Sequence, residues 1–166
     1  TVALEGTASR MRITSRLDGE IGHVETDGWF ALGYPARWGG DSAEIRFRGM
    51  DLAALVGRGP ATRLAGRLQV DGLAGEARAP EGRLSLDLSA GTIDRFEFDS
   101  LHAVASAADS IVTVDELVLA WSDGALTGAG SLGWAAPRTG SLSFAVDASS
   151  LRSFDDVAHR VAGIEP

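Results

Sequence analysis

The chain has 166 residues, enough for one domain with a core and too few for two of ordinary size. Its formal charge is -8, every one of its 15 basic residues is arginine, and no stretch concentrates them, which argues against nucleic acid as a partner because phosphate binding needs clustered positive charge. It has no cysteine, so disulfides and thiolate metal sites are excluded, and no apolar run approaches the ~18 residues of a membrane-spanning helix. A hydrophobic share of 45% suits a folded domain, and 21 glycines against 5 prolines suit many strands joined by tight turns. No signal peptide is visible. The first residue is Thr1, so the sequence reads as a segment of a longer chain, with any anchor or export signal outside it.

Residues 1–34 predict three strands. Met11, Ile13 and Leu17 alternate with Arg10, Arg12 and Arg16, and Asp18 and Gly19 predict a two-residue hairpin turn. A third strand follows over 21–34, with a break expected at Asp27 and Gly28. Pro35, Gly39 and Gly40 mark 34–40 as a loop. Residues 43–49 read as a strand with Ile45 and Phe47 inward and Arg46 and Arg48 outward. Asp51 is placed to cap a short helix with Leu52, Leu55 and Val56 as its apolar stripe, and Gly57 to end it. A strand is expected over 64–70, then a loop or weak edge strand over 73–82.

Leu84, Leu86, Leu88 and Ala90 form the cleanest alternation in the chain; Gly91 and Thr92 turn it, and 93–98 is expected to return beside it. A weakly apolar strand over 100–107 and a turn at 108–110 lead into the richest stretch, 111–154. There Leu117, Leu119 and Trp121 share one face of a strand. Leu126, Gly128, Gly130, Leu132 and Trp134 share a face of the next. Leu142, Phe144, Val146 and Ala148 share a face of a third. Turns at 122–124 and 137–140 separate them and predict an antiparallel meander. Ser153 is placed to cap a final short helix, and 155–166 reads as that short helix or a tail. Residues 43–55 and 142–154 echo one another at an offset of 99, each reading as a strand followed by a Leu-led helix start, which suggests a long strand-rich repeat.

Motifs that carry chemistry are scarce. Gly128, Gly130 and Gly133 match the spacing of a dinucleotide fingerprint, but they lie inside a strand-like alternation with no helix opening. His23, His102 and His159 lack ligand spacing; Asp155, Asp156 and His159 share a helical face that reads as solvated rather than as a metal site. No serine sits in a nucleophile-elbow sequence, and Asp18, Glu20, Glu25 and Asp27 read as turn and strand-face residues. No active site, metal or cofactor is expected. Trp121 and Trp134 fall on apolar strand faces, whereas Trp29 and Trp38 flank a loop. Such residues serve as core aromatics or as a lipid-contacting surface.

The runs L-x-G-R-L-Q-V-D-G (64–72), G-R-L-S-L-D-L-S-A-G-T-I-D-R-F-E-F-D-S-L (82–101), V-D-E-L-V-L-A-W-S-D-G-A-L-T-G-A-G-S-L-G-W (114–134) and S-L-S-F-A-V-D-A-S-S-L (141–151) resemble the AsmA-like superfamily, and within it the repetitive region of TamB-type translocation and assembly proteins. The resemblance covers most of residues 42–154, is weak before 40, and rests on rhythm and turn placement. It implies a periplasmic segment of an inner-membrane-anchored protein of a diderm bacterium. Its strands would curl into an open groove that conducts phospholipid between the membranes or assists outer-membrane assembly, with phospholipid acyl chains, and outer-membrane assembly proteins, as partners.

The expected fold is therefore all-β: an elongated, mostly antiparallel curled sheet, an open β-groove, with one or two short helices. It forms a single segment over 1–166, with N-terminal strands and loop over 1–40 and the groove-like region over 42–154. The groove-lining candidates are Leu84, Leu86, Leu88, Leu117, Leu119, Trp121, Leu126, Leu132, Trp134, Leu142, Phe144 and Val146. The short helices are placed to plug or cap the groove. The competing readings are a purely structural β-sandwich or solenoid, and an adhesin-like surface module.

Overall fold

The computed structural model describes residues 1–7, 9–33, 37–76, 79–133 and 139–149. Among them are twelve strands and one short helix: β1 (Val2–Thr7), β2 (Arg10–Gly19), β3 (Gly22–Gly33), β4 (Arg37–Met50), α1 (Leu52–Val56), β5 (Thr62–Glu76), β6 (Ala79–Leu88), β7 (Gly91–Ile93), β8 (Phe96–Phe98), β9 (Ser100–Ala108), β10 (Ile111–Trp121), β11 (Gly124–Gly133) and β12 (Gly140–Ala148). Ten strands lie side by side in the order β1-β2-β3-β4-β5-β6-β9-β10-β11-β12, each antiparallel to the next. The sheet is all-β, open and not closed into a barrel.

Several turns lie where the sequence puts them and several do not. Asp109 and Ser110 both have positive φ (51 and 64), the twist that a two-residue hairpin loop requires. The β2–β3 hairpin turns at Glu20 and Ile21, not at Asp18 and Gly19, because Gly19 still pairs with Gly22. β3 runs unbroken through Asp27 and Gly28. Residues 37–40 are the start of β4 rather than a loop, pairing with both β3 and β5. The segment read as a loop or weak edge strand over 73–82 is strand at its described residues, and not at an edge: it extends a long β5–β6 hairpin, with Glu76 opposite Ala79.

The largest difference concerns 91–98. Instead of returning beside β6, these residues leave the main sheet as a miniature hairpin, β7–β8, turned at Asp94 (φ 55). β7 pairs with the start of β5 (Thr62 with Ile93), and β9 takes the place beside β6. The reason is burial. Phe96 and Phe98 alternate with exposed Glu97, and folding the hairpin over the sheet buries both rings, Phe98 to 2% exposure. They join Phe47, Leu64, Leu88 and Trp121 in the one cluster of buried apolar residues among the described residues. Phe96 meets Trp121 edge to face, with ring centroids 6.1 Å apart and planes at 60°.

α1 forms as its sequence predicts. Asp51 accepts from the Ala53 amide (2.9 Å) and from the Thr62 amide (3.1 Å), and Gly57 (φ 75) ends the helix by donating to the Ala53 carbonyl (2.8 Å). Its apolar stripe is left uncovered: no residue of α1 is buried, and Leu52, Leu55 and Val56 are all exposed. The core at this end is filled from β7–β8, while Asp51 and Thr62 tie the helix to the start of β5.

Two bulges keep the apolar residues on one face. In β10, Val114 lies opposite Gly130 and Leu117 opposite Gly128, so one extra residue is absorbed at Asp115 and Glu116. Without it Val112 and Val114 would face away from Leu117, Leu119 and Trp121. In β4 the same device between Phe47 and Met50 places Met50 opposite Leu64.

Candidate functional site

In an antiparallel ladder directly paired residues point to the same side. Following the pairs across the sheet gives three rows on one face. The first runs Leu17, Val24, Phe47, Gly66, Leu88, Leu101, Leu119, Leu126, Val146. The second runs Val2, Ser15, Thr26, Ile45, Leu68, Leu86, Ala103, Leu117, Gly128, Phe144. The third runs Leu4, Ile13, Gly28, Ala43, Val70, Leu84, Ala105, Val114, Gly130, Leu142. None of these positions carries a charge, and Ser15 and Thr26 are the only polar side chains among them. Nine inter-strand steps of about 4.8 Å make the stripe about 43 Å long, and the three rows span about 13 Å along the strands.

The opposite face carries the charge. Arg12 makes a paired contact with Asp27 (2.9 and 2.8 Å), Arg16 lies 3.5 Å from Glu25, Arg46 pairs with Glu44, and Arg67 lies 3.2 Å from Asp87. His102 Nδ1 lies 2.6 Å from Asp87, and His23 is held between Asp18 and Glu25. These contacts shift the titrations. The His102 hydrogen bond, then Arg67, holds Asp87 below the usual carboxylate range. Hydrogen bonds to Asp18 and then Glu25 raise His23. Trp29 also belongs here, with the Arg10 guanidinium 4.9 Å from its ring centre. A depression of about 720 Å³ on this face is lined by Arg12, Arg16, Glu25, Asp27, Trp29 and Gln69 among others. Arg12 with Asp27 and Arg16 with Glu25 are already paired across it.

The sequence-derived candidates separate into three groups. Eleven lie within the described residues and face the same side, ten of them in the rows above or, for Trp121, one step beyond the first row. Leu132 lies one step beyond the third row, opposite Val112. Trp134 lies outside the described residues, as do Asp155, Asp156, His159 and the helix and tail expected after Ser149. Leu88 (8% exposed) and Trp121 (4%) are not open lining: they belong to the core under β7–β8, which is a correction to the expectation. Leu86, Leu117, Leu119 and Leu126 are half-buried. Leu84, Leu132, Leu142, Phe144 and Val146 are exposed, Phe144 to 57%.

Exposure therefore grades across the stripe. Phe47 and Leu88 of the first row lie in the core under β7–β8, whereas Leu4, Leu84 and Leu142 of the third row are exposed, as are Val2 on β1, Leu17 on β2 and Phe144 and Val146 on β12. Val2 and Leu4 went unremarked in the sequence because β1 is short and weakly patterned. The strand halves of the internal echo occupy equivalent places: Ala43, Ile45 and Phe47 fall in the third, second and first rows, as do Leu142, Phe144 and Val146. Its helix halves cannot be compared, since the second lies outside the described residues.

Among the described residues no group of three His, Asp or Glu side chains is placed to hold a metal, and no helix is long and apolar enough to cross a membrane. Comparison with family models, curated proteins and solved structures gave no match.

Proposed function

We propose that this chain is a lipid-conducting segment: a periplasmic part of an AsmA/TamB-like envelope protein, anchored elsewhere in its sequence to the inner membrane of a diderm bacterium. Phospholipid acyl chains move along its apolar stripe toward the outer membrane or its assembly machinery. The observation that carries this reading is the charge-free face that crosses all ten strands and stays open at both outer strands. A stripe about 43 Å long and about 13 Å wide accommodates a hydrocarbon chain lying across the strands. Carrying a chain of about sixteen carbons through water costs on the order of 10 kcal/mol at ~0.8 kcal/mol per CH₂, and an apolar lining removes most of that cost without specific binding groups. The work is binding and passage, with no bond made or broken. A closed sandwich is less well supported, because among the described residues the apolar face is covered along one margin, by β7–β8.

The test is photo-crosslinking from a benzophenone amino acid placed at Leu86, Phe144 or Arg46 in the parent protein in cells. Leu86 and Phe144 are expected to capture phospholipid, identified by mass spectrometry, and Arg46 on the charged face is not. Capture from Arg46 alone would refute the proposal. Phe144→Asp is expected to lower capture at Leu86 while leaving the circular dichroism spectrum unchanged, since Phe144 is mostly exposed.

A further inference from the structure

The charged face keeps hydrogen-bonding capacity that the fold does not use. Its depression of about 720 Å³ lies away from the apolar rows and falls in the range of about 300–1,000 Å³ typical of small-ligand sites. Three arginine–carboxylate pairs line it: Arg12 with Asp27, Arg16 with Glu25, and Arg46 with Glu44. They cancel one another's charge and hold one another's side chains in place. Beside them lie Ser42, Gln69 and Asp71. Among the described residues none of these three makes a side-chain hydrogen bond or ion pair. Trp29 lines the same depression; it is directly opposite Ser42 on the next strand, and Ser42 is directly opposite Asp71. The Arg10 guanidinium, 4.9 Å from the Trp29 ring centre, steadies the indole and does not itself line the depression.

We propose that this depression binds a short uncharged oligosaccharide. The chemistry of its lining selects that class. The face of an indole ring attracts the slightly positive C–H groups of a pyranose. Asp71 can accept from two sugar hydroxyls, Gln69 both donates and accepts, and Ser42 does either. An anionic ligand is disfavoured, because each of the three arginines is matched by a carboxylate and Asp71 adds an unmatched negative charge. An apolar ligand would strip water from these polar groups and give nothing back. From β2 to β5 the depression crosses three inter-strand steps of about 4.8 Å, about 14 Å in all, which suits several sugar units rather than one. The ion pairs are already made, so little ordering is lost on binding. The site lies on the opposite side of the sheet from the apolar rows and stands independently of what those rows carry.

The test is isothermal titration calorimetry of the 166-residue chain with cellohexaose, maltohexaose and N-acetylchitohexaose, beside heparin as an anionic control. At least one of the three neutral hexasaccharides is expected to bind, and heparin is not. Trp29→Ala and Asp71→Ala are each expected to weaken that binding at least tenfold, and Trp29→Phe, which keeps an aromatic face, by less. Asp71 is exposed, so its variant reports on the site even if loss of the half-buried indole disturbs the fold; circular dichroism checks both. Phe144→Asp, on the apolar face, is expected to leave saccharide affinity unchanged while it lowers lipid capture, so the two proposals fail separately. No binding of any of the three hexasaccharides, tighter binding of heparin, or affinity unchanged by either Trp29→Ala or Asp71→Ala would each overturn the proposal.

Discussion

Gly128 and Gly66 sit in the same apolar face and differ in what a side chain would meet. A Cβ at Gly128 would lie 2.7 Å from Cδ1 of Phe144, an exposed ring free to swing away. A Cβ at Gly66 would meet the Asp87 carbonyl and lie 3.0 Å from the Leu88 Cα, backbone of a central strand that cannot yield without disturbing the core. Gly66→Ala is therefore expected to destabilise the fold by about 1–3 kcal/mol, as overpacking does, and Gly128→Ala by clearly less. Urea midpoints of the two variants check the order. The charged face gives a second expectation. His23 is raised above its ordinary value of 6.5 by Asp18 and Glu25. The stabilisation from those contacts is fully present below that ordinary value and is lost as pH rises through the elevated one. The groups facing it are Asp18 and Glu25, with Arg16 opposing. NMR titration should place the His23 midpoint above 6.5, and Asp18→Asn should lower it. Asp87 behaves in the opposite sense: its contribution is present above the usual carboxylate range and disappears as pH falls through its depressed value.

At the scale of elements, the β7–β8 hairpin matters most because it supplies the two rings that complete the core. Phe98→Ala is expected to cost about 3–5 kcal/mol, a large part of the stability of a domain this size, whereas Phe144→Ala, on an exposed ring, should cost far less. Chemical denaturation of the two side by side measures the contrast. Asp51 holds both the start of α1 and the start of β5. Asp51→Ala should speed hydrogen exchange at the Ala53 and Thr62 amides and leave β9 and β10 unchanged. The alternation of Leu84, Leu86 and Leu88 was legible in the sequence, and so were the caps of α1, because each is a local pattern of residue types. The departure of 91–98 was not. Two strands of three residues have too little periodicity to read, and their partner is chosen by where Phe96 and Phe98 can be buried. The exposed stripe of α1 misled for the same reason: spacing shows which residues share a face but not whether anything covers it. The β10 bulge did leave a trace, a change of phase between Val114 and Leu117.

At the scale of the whole molecule, the sequence was enough to put eleven candidate positions on one side of one sheet. It did not reveal that Leu88 and Trp121 would be consumed by the cap, since that depends on a hairpin folding over from 91–98. Removal of residues 1–8 is expected to leave the near-ultraviolet signature of the Phe96 and Trp121 packing intact, because every residue of β1 is exposed. Near-ultraviolet circular dichroism of the truncated protein checks this. Along the ten-strand path each strand pairs with the one before it in the chain, with the single detour at β7–β8. A polypeptide arranged this way needs no distant partner to begin folding: as it emerges from the ribosome, each new hairpin arm finds its template already laid down. Lengthening the molecule by one more hairpin preserves every direction and every row, so such a protein can grow by duplication without rebuilding the strands it already has.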